Sequence, residues 1–375
     1  MRGRCLLWMI LLFCLFSLPA AAQTEDVYEE QLAASGADSL TEYLPADTRE
    51  LLESLQMDSL RPSSFAGLSF GRVLDGLMSL FSKHKGGAFG ALGSLVGVVV
   101  VSSLFSGLEG AAQSLSLRQT YHSVAVLAAG GALLTPLLSL VERVAQAVDS
   151  VAVFMAGYIP VYGVILAAGG SPTGAISYQT TLLAAAELLT WLIRSGVFPV
   201  LLVSLAMGCT GAVAEGFCLS AVSQTLYKGI LWALGLFSTL FSWVLSLQQM
   251  VSAATDSLGS RAVKFSLSSL VPVVGGLLSE AYATVAGCAG LLRSTVGCFG
   301  LVAVVGIVLP PLLSCIAWTI SLSLSGTAAA LFGLGPLETL CKTAAGAVRV
   351  LIAVLAVFAL LMVVSTTVIV FSARG

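Results

Sequence analysis

The sequence predicts an all-α protein, a polytopic bundle of membrane-spanning helices, and three observations lead to that class. Of 375 residues, 57% are hydrophobic and only 10% are charged, against about 25% charged in soluble domains. The apolar residues come in blocks of about 20, the length that a helix needs to cross the hydrocarbon core. A soluble fold could not cover so much apolar surface with so few charges.

Residues 1–22 are predicted to be a secretory signal peptide. Arg2 and Arg4 supply the positive start, residues 6–18 the apolar middle, and three alanines at 20–22 a small-residue cleavage site. A retained membrane anchor is the alternative. Cleavage would leave the mature N-terminus outside the cytoplasm.

Two helical segments are predicted between the signal peptide and the membrane domain. Residues 23–62 form an acidic, soluble lead-in, in which Asp47 followed by Glu50 is typical of a helix start. Residues 63–85 alternate apolar and polar side chains at helical spacing, which predicts an interfacial amphipathic helix. A small soluble helical pair is the alternative for that second segment.

Residues 86–375 form the predicted membrane domain, in which short connections join eight apolar blocks. The blocks are 86–107, 121–141, 151–170, 181–207, 229–251, 269–291, 297–325 and 350–372. Six to eight spans are expected, since a block such as 181–207 could be broken or re-entrant. Lys and Arg are spread evenly over alternate loops, so the positive-inside rule does not fix the orientation.

A few ionisable side chains lie in or beside these blocks and are candidates for a polar path or a helix contact. Glu187 and Arg194 share a face of block four but lie about 10 Å apart along its axis, so each needs a partner on another helix or in water. Glu280 lies in block six, and Glu215 lies between blocks. Charged residues inside membrane helices are costly and are often functional. A satisfied interhelical hydrogen bond is the structural alternative.

Prolines and glycines interrupt the same blocks. Pro160 in GYIPVYG and Pro272 in LVPVVGG occupy similar settings, which permits a bend at each and raises the hypothesis of an internal repeat. Two GxxxG spacings in block one favour close approach of another helix, and they are formed by Gly86, Gly90, Gly93 and Gly97. The alternative is that glycine is simply common in membrane helices.

Catalytic, metal and cofactor motifs are weak or absent in this sequence. Residues 67–71 (GLSFG) have the spacing of a nucleophile elbow, but they lie in a helical pattern, and the only histidines are His84 and His122. There is no Walker A motif, no cluster of metal ligands and no basic patch for nucleic acid. We therefore expect no enzyme activity, cofactor, metal or nucleic-acid partner.

The cysteines are expected to be plain buried thiols. Cys5 and Cys14 lie in the predicted signal peptide, and the others show no CxxC spacing and lie in apolar surroundings; they are Cys209, Cys218, Cys288, Cys298, Cys315 and Cys341. A disulfide or redox role is the alternative.

Several stretches carry a resemblance to a known family. T-D-x-x-x-x-R-x-x-K-F spans 255–265 and is followed by P-V-x-G at 272–275 and LLRSTVG at 291–297; weaker stretches are FMAGYIPVYGVILAAGGSPTGA at 154–175 and LFGLGPLETLCK at 331–342. By these residues the chain resembles the stage III sporulation protein AE family of endospore-forming bacteria. The order of parts agrees over nearly the whole length, although the first 85 residues carry little of the likeness.

The resemblance implies a mother-cell membrane protein of the apparatus that joins mother cell and forespore. It implies a permease or channel core that is needed for late forespore development and for activity of the late forespore sigma factor. The implied partners are an ATPase, small membrane proteins and ring-forming proteins of the same operon, and a ring protein of the forespore. A non-conducting scaffold for the same complex and a generic secondary transporter are the alternatives. The resemblance supplies no catalytic residue.

Overall fold

Helices make up nearly all of the computed structural model, which describes residues 25–54, 93, 97, 100–101, 115–213, 219–270 and 275–372. Residues 25–54, called the lead-in below, consist of α1 (Glu25–Ser35), a 3-10 helix (Ala37–Tyr43) and α2 (Ala46–Ser54). No strand occurs within the described ranges. The all-α prediction is confirmed for this part of the chain.

Within the described ranges from residue 115 onward, the chain forms six longer helices and one π-helical turn. The π-helical turn (Ile193–Val197) joins α4 to α5, and the helices are α3 (Leu115–Ala168), α4 (Pro172–Leu192), α5 (Phe198–Val213), α6 (Leu219–Leu270), α7 (Gly275–Leu331) and α8 (Gly335–Ser372). The predicted signal peptide and the predicted interfacial helix at 63–85 lie outside the described residues.

Five helical stretches in the described ranges are long and apolar enough to cross a membrane. They are Leu127–Ala168, Pro172–Ala212, Leu219–Asp256, Gly287–Leu331 and Gly335–Thr366, with lengths of 32 to 45 residues. At 1.5 Å per residue they are about 48–68 Å long, more than the roughly 30 Å of the hydrocarbon core. The chain therefore has the helices of a membrane protein, and the count of six to eight spans stays a prediction.

Two pairs of predicted blocks are fused into single helices, so the expected connections between them are wrong. α3 continues through 142–150 between blocks 121–141 and 151–170, and α7 continues through 292–296 into block 297–325. Residues 142–150 read ERVAQAVDS and contain neither glycine nor proline. Glu, Arg, Ala and Gln favour helix, so the charges here mark a polar level of a helix and not a loop.

The last helix, α8, lies at the centre of the bundle. It packs against α3, α5, α6 and α7, while α3 also packs against α4. α6 lies at the periphery, because only 17% of its most apolar 18-residue window is buried, against 39–56% in the other four stretches. Its outer side exposes Trp232 and Trp243, as expected of a helix that faces lipid.

Two tight turns reverse the chain between long helices, and each depends on a glycine in the left-handed conformation. Gly170 follows α3 with φ 87°, and Gly333 follows α7 with φ 71°. After α3, the N–H of Ser171 bonds to the carbonyl of Leu166 at 3.1 Å, which closes the helix end in a Schellman-type pattern. Both glycines belong to the glycine-rich stretches that carried the family resemblance.

Candidate functional site

Four buried side chains form what we call the tyrosine–arginine cluster: Tyr158 and Tyr162 of α3, Tyr178 of α4 and Arg293 of α7. The three tyrosines are completely buried, and Arg293 is 9% exposed. Phe154, Tyr158 and Tyr162 recur at every fourth residue, so they lie on one face of α3. That face points into the bundle, where it meets α4 and α7.

The aromatic rings of the cluster form a continuous stack. Ring centroids are 5.5 Å apart between Phe154 and Tyr158 and 5.3 Å between Tyr158 and Tyr162. Tyr178 continues the stack from α4, at 5.4 Å from Tyr162. Pairs at such distances contribute about 0.5–1.5 kcal/mol each beyond the area they bury. The stack therefore holds α3 and α4 in a fixed register.

The hydroxyl groups of the cluster are less well satisfied than its rings. Tyr158 donates to the carbonyl of Val296 on α7 at 3.3 Å. The hydroxyls of Tyr162 and Tyr178 are buried and make no well-aligned hydrogen bond within the described residues, although Tyr162 lies beside the Arg293 side chain and Tyr178 beside the Ser365 side chain. The Arg293 guanidinium lies close enough to the Tyr162 hydroxyl to interact with it electrostatically.

Two glycines of α7 allow this close approach to α3. A Cβ at Gly297 would lie 3.2 Å from the Tyr162 hydroxyl oxygen, and a Cβ at Gly300 would lie 2.5 Å from the Tyr158 ring. Contacts below 3.0 Å cannot be accommodated without a shift of the ring. Gly300 is therefore needed for the stack to pack against α7.

The cluster places three tyrosine hydroxyls and the Arg293 cation inside a largely apolar bundle. An unsatisfied buried polar group costs about 1–3 kcal/mol, and buried polar groups in proteins are almost always bonded to protein or to water. Arginines within membrane helices face the bundle interior or a water-filled cavity.

A second polar contact, the α4–α6 ladder, runs between these two helices. The carboxylate of Asp256 on α6 accepts hydrogen bonds from the backbone N–H groups of Thr173 (3.1 Å) and Gly174 (2.9 Å) at the start of α4. One turn along, Ser252 donates to Ser177 at 3.0 Å. One turn further, the Thr181 hydroxyl donates to Gln248.

The Asp256 end of the ladder is an anion at a helix N-terminus. The first N–H groups of a helix have no partner inside the helix, and a carboxylate there also interacts favourably with the helix dipole. Asp256 is 9% exposed, so its two backbone donors take the place of the water that it loses.

Arg194 lies in the π-helical turn between α4 and α5. The N–H of Phe198 bonds there to the carbonyl of Ile193, five residues back. Pro199 follows at once and has no N–H of its own, which favours a local change of hydrogen-bond pattern. Arg194 pairs with Asp149 on α3, and both side chains are about half exposed. Of the two alternatives that the sequence left open for Arg194, a partner on another helix or water, the structure shows the first, with Asp149 as the partner.

The other predicted site residues are not brought together with Arg194. Glu187 is exposed on α4, and it makes no hydrogen bond or ion pair within the described residues. The carbonyl of Pro160 accepts a hydrogen bond from Gln179 on α4 at 3.2 Å. Gln179 can come so close because Gly163 has no side chain.

The remaining candidates fall on parts of the chain of which little is described. Glu280 lies in α7, but its side chain is outside the described part, and Pro272, Gly86, Gly90 and Glu215 are outside it altogether. Gly93 and Gly97 are helical and exposed, with no described atom within 4 Å of a Cβ built on either. The helix contact through these glycines stays a prediction.

The five cysteines within the described ranges form no disulfide with one another. Cys288, Cys315 and Cys341 are buried, as expected, whereas Cys209 and Cys298 are only partly buried. In the same ranges, no three His, Cys, Asp or Glu side chains are placed to hold a metal ion.

Sequence reasoning missed the tyrosines and Asp256 as site residues. The signal for the tyrosines was the four-residue spacing of Phe154, Tyr158 and Tyr162. Tyr178 and Asp256 carry no comparable signal, because their roles depend on how α4 packs against its neighbours. The stretches that carried the resemblance meet in space. Asp256, of the stretch 255–265, accepts hydrogen bonds from the end of the stretch 154–175. Arg293, of the stretch 291–297, lies beside Tyr162 in the same stretch 154–175.

Comparisons with known proteins agree with the resemblance. The family model of stage III sporulation protein AE matches residues 56–373. The stage III sporulation protein AE of Bacillus subtilis (strain 168) is 26% identical over 363 residues, which cover 93% of this chain and 91% of that protein. No solved structure matches the chain. With its apolar helices and a family match over most of its length, the chain belongs to the stage III sporulation protein AE family.

Proposed function

We propose that this sporulation protein is a multi-pass component of the mother-cell membrane around the forespore and forms a permease or channel core there. The observation that carries the proposal is the set of polar groups inside the bundle: the completely buried hydroxyls of Tyr162 and Tyr178, neither in a well-aligned hydrogen bond in the described part, with Arg293 beside Tyr162. Such groups are expensive in the interior of a membrane bundle unless water or a solute visits them.

The surrounding helices have features that suit a moving interior. Proline in a membrane helix weakens the local hydrogen bonding, and Pro160 lies between Tyr158 and Tyr162 in α3. π-Helical turns are frequent at functional sites, and the one at 193–197 lies at the α4–α5 junction. A change of helix angle at either point would move the tyrosines relative to Arg293.

The proposal includes partners and an energy source outside the chain. The sequence has no nucleotide-binding motif of the P-loop type, and we propose that the protein itself catalyses no reaction. The ATPase and the ring-forming proteins implied by the resemblance, or an ion gradient, would supply the energy and complete the passage. The lead-in is placed on the extracytoplasmic side in this proposal.

The same chain could instead act as a non-conducting scaffold, and close packing elsewhere in the bundle favours that second candidate. A Cβ at Gly208 would lie 2.0 Å from a methyl group of Thr343, and a Cβ at Gly346 would lie 2.6 Å from the Tyr227 ring. Interiors packed so closely leave no room for a solute at those levels.

Removal of single hydroxyls separates the two candidates. Tyr162→Phe and Tyr178→Phe each remove a buried hydroxyl that makes no well-aligned hydrogen bond in the described part, so both variants should fold and accumulate normally. A permease or channel core predicts that they lose late forespore development and solute uptake in proteoliposomes. Tyr227→Phe is the matched control, since its hydroxyl is also buried and unbonded but lies next to α8 and away from Arg293. Normal sporulation by both cluster variants would contradict the permease or channel core and favour the non-conducting scaffold.

A further inference from the structure

The lead-in packs along the side of α3 and α7 as an integral part of the bundle. Its contacts are with α7 through α1 and α2, and with α3 through the 3-10 helix. Its apolar side chains enter the same hydrophobic core as the membrane helices; the buried ones are Tyr28, Leu32, Leu40, Leu44, Leu51 and Leu52. The acidic segment is therefore docked against the bundle over its whole described length.

Two glycines of the long helices accept the lead-in at very short range. The Tyr43 ring would lie 2.8 Å from a Cβ at Gly157 of α3. A methyl group of Thr48 would lie 2.8 Å from a Cβ at Gly306 of α7. At the other end of the lead-in, Tyr28 hydrogen bonds to the side chain of Thr295 on α7. The contact is close-packed at both ends.

The outer side of the lead-in is strongly acidic. Arg49 is the one exposed base among its described side chains, against seven exposed carboxylates: Glu29, Glu30, Asp38, Glu42, Asp47, Glu50 and Glu53. Transfer of even one carboxylate into hydrocarbon costs several kcal/mol after relaxation. Lipid tails therefore cannot cover this surface.

The docking points nevertheless lie well inside the apolar lengths of the two helices. Gly157 is 11 residues from the end of the stretch Leu127–Ala168, and Gly306 is 19 residues from the start of Gly287–Leu331. At 1.5 Å per residue these offsets are about 16 Å and 28 Å. The acidic surface thus covers part of the flank of two apolar stretches, each of which is longer than the hydrocarbon core.

We infer that the docked lead-in separates the α3–α7 flank of the bundle from lipid, and that the outer side of the lead-in faces water. Lipid then contacts the bundle away from the lead-in, as on α6, where exposed apolar side chains include Trp232, Trp243, Leu247 and Met250, and at Ile320 on α7. One side of the membrane domain therefore faces water, through the lead-in, and another side faces lipid. This assignment holds whether the protein conducts a solute or serves as a scaffold.

Thiol labelling of the full-length chain in native membranes, opened so that both sides are accessible, tests the inference. Glu30→Cys and Glu53→Cys place thiols on the outer side of the lead-in. Leu247→Cys on α6 and Ile320→Cys on α7 are the controls, at exposed positions that are apolar. A membrane-impermeant maleimide should label the lead-in positions at least ~10-fold faster, because the reactive thiolate forms in water and burial in apolar surroundings raises the thiol pKa. The unsubstituted chain gives the background from native cysteines.

A crosslink shows that the lead-in is docked while it is labelled. The Cβ of Thr48 lies 3.8 Å from a Cβ built on Gly306, which equals the mean Cβ–Cβ distance of about 3.8 Å in disulfides. Thr48→Cys with Gly306→Cys should therefore link on mild oxidation, detected as a joined peptide pair by mass spectrometry. Glu30→Cys added to that pair should still be labelled after oxidation.

Every outcome decides the inference. Fast labelling of the lead-in positions together with the crosslink supports it. Lead-in positions as slow as Leu247→Cys would mean that lipid or protein covers them, and the inference would be overturned. Labelling that disappears once the crosslink has formed, or failure of the crosslink itself, would show that only an undocked lead-in meets water, which overturns it equally.

Discussion

At the scale of single residues, two ionisable side chains in the apolar stretches, Asp256 and Arg194, are held by specific protein groups. Asp256 has two backbone N–H donors, and Arg194 has Asp149. Neither partner could be read from the sequence, because Asp149 is 45 positions from Arg194 and the donors to Asp256 are backbone groups. What the sequence did show is that Arg194 needed a partner outside its own helix.

The N-terminus of α4 should depend on the Asp256 side chain. Asp256→Ala removes both hydrogen bonds to Thr173 and Gly174, so we expect a loss of about 0.5–2 kcal/mol in unfolding free energy, the range found for helix caps. Asp256→Asn keeps an acceptor oxygen and should lose clearly less. Thermal unfolding of the detergent-solubilised protein measures both. Equal losses of unfolding free energy in Asp256→Ala and Asp256→Asn would show that the charge of the carboxylate, and not its hydrogen bonds to the backbone, stabilises the helix.

The pair of Arg194 and Asp149 should behave as an ion pair that tolerates reversal. Arg194→Asp alone places two carboxylates together and should destabilise the protein, while Arg194→Asp with Asp149→Arg should recover most of the loss. Because both side chains are about half exposed, the coupling is expected to be on the order of 1 kcal/mol or less where water reaches them. A double-mutant cycle on unfolding measures it, and no recovery in the reversed pair would contradict the pairing.

At the scale of elements, the sequence predicted which segments are helical, but it did not predict where each helix begins and ends. Apolar blocks identified the spans, but the polar interruption at 142–150 was read as a connection because loops are usually polar. Helix propensity decides this case, since ERVAQAVDS contains no residue that ends a helix. Conversely, the turns at Gly170 and Gly333 stand in glycine-rich sequence that resembles many membrane helices, and only the left-handed backbone distinguishes them.

Contact between α5 and α8 should be sensitive to one methyl group at Gly208. A Cβ there would lie 2.0 Å from the Thr343 methyl carbon, so Gly208→Ala should cost about 1–3 kcal/mol, as overpacking of a core does. Thr343→Ser removes that methyl group and should rescue the alanine variant. Gly229→Ala on α6 is the control, because nothing described lies within 4 Å of its Cβ. Unfolding curves of the three variants and the rescue pair provide the measurement.

At the scale of the whole molecule, the polar interior was the harder prediction. Composition indicated helices apolar enough to cross a membrane, which the structure contains, whereas the charge pattern singled out Glu187, Arg194 and Glu280 and not Tyr162, Tyr178 and Arg293. Tyrosine is common in apolar cores, so its hydroxyl becomes informative only when its surroundings are known. The docking of the lead-in was equally invisible, because its few buried leucines predict a helix pair and not the partner on which it packs.

Docking of the lead-in should respond to high pH through Tyr28. Burial raises the pKa of Tyr28 to about 12, with a smaller opposing effect of its hydrogen bond to Thr295. Because the docked-state pKa lies above the ordinary value of about 10, docking should be unaffected below pH 10 and should weaken as the pH rises from about 10 to about 12. In the unsubstituted protein, the tyrosinate absorbance of Tyr28 should therefore appear near pH 12, and this component should be missing in Tyr28→Phe. A lost component that titrates near pH 10 would mean that Tyr28 is not buried.

The even spacing of the α4–α6 ladder has a mechanical consequence. Its three contacts, at Asp256, Ser252 and Gln248, are separated by one helical turn each. A slide of α4 along α6 by less than a turn, about 5.4 Å, would break all three at once. α4 and α6 must therefore move together along their common axis. Tilt and rotation of the pair are the easier motions of this half of the protein.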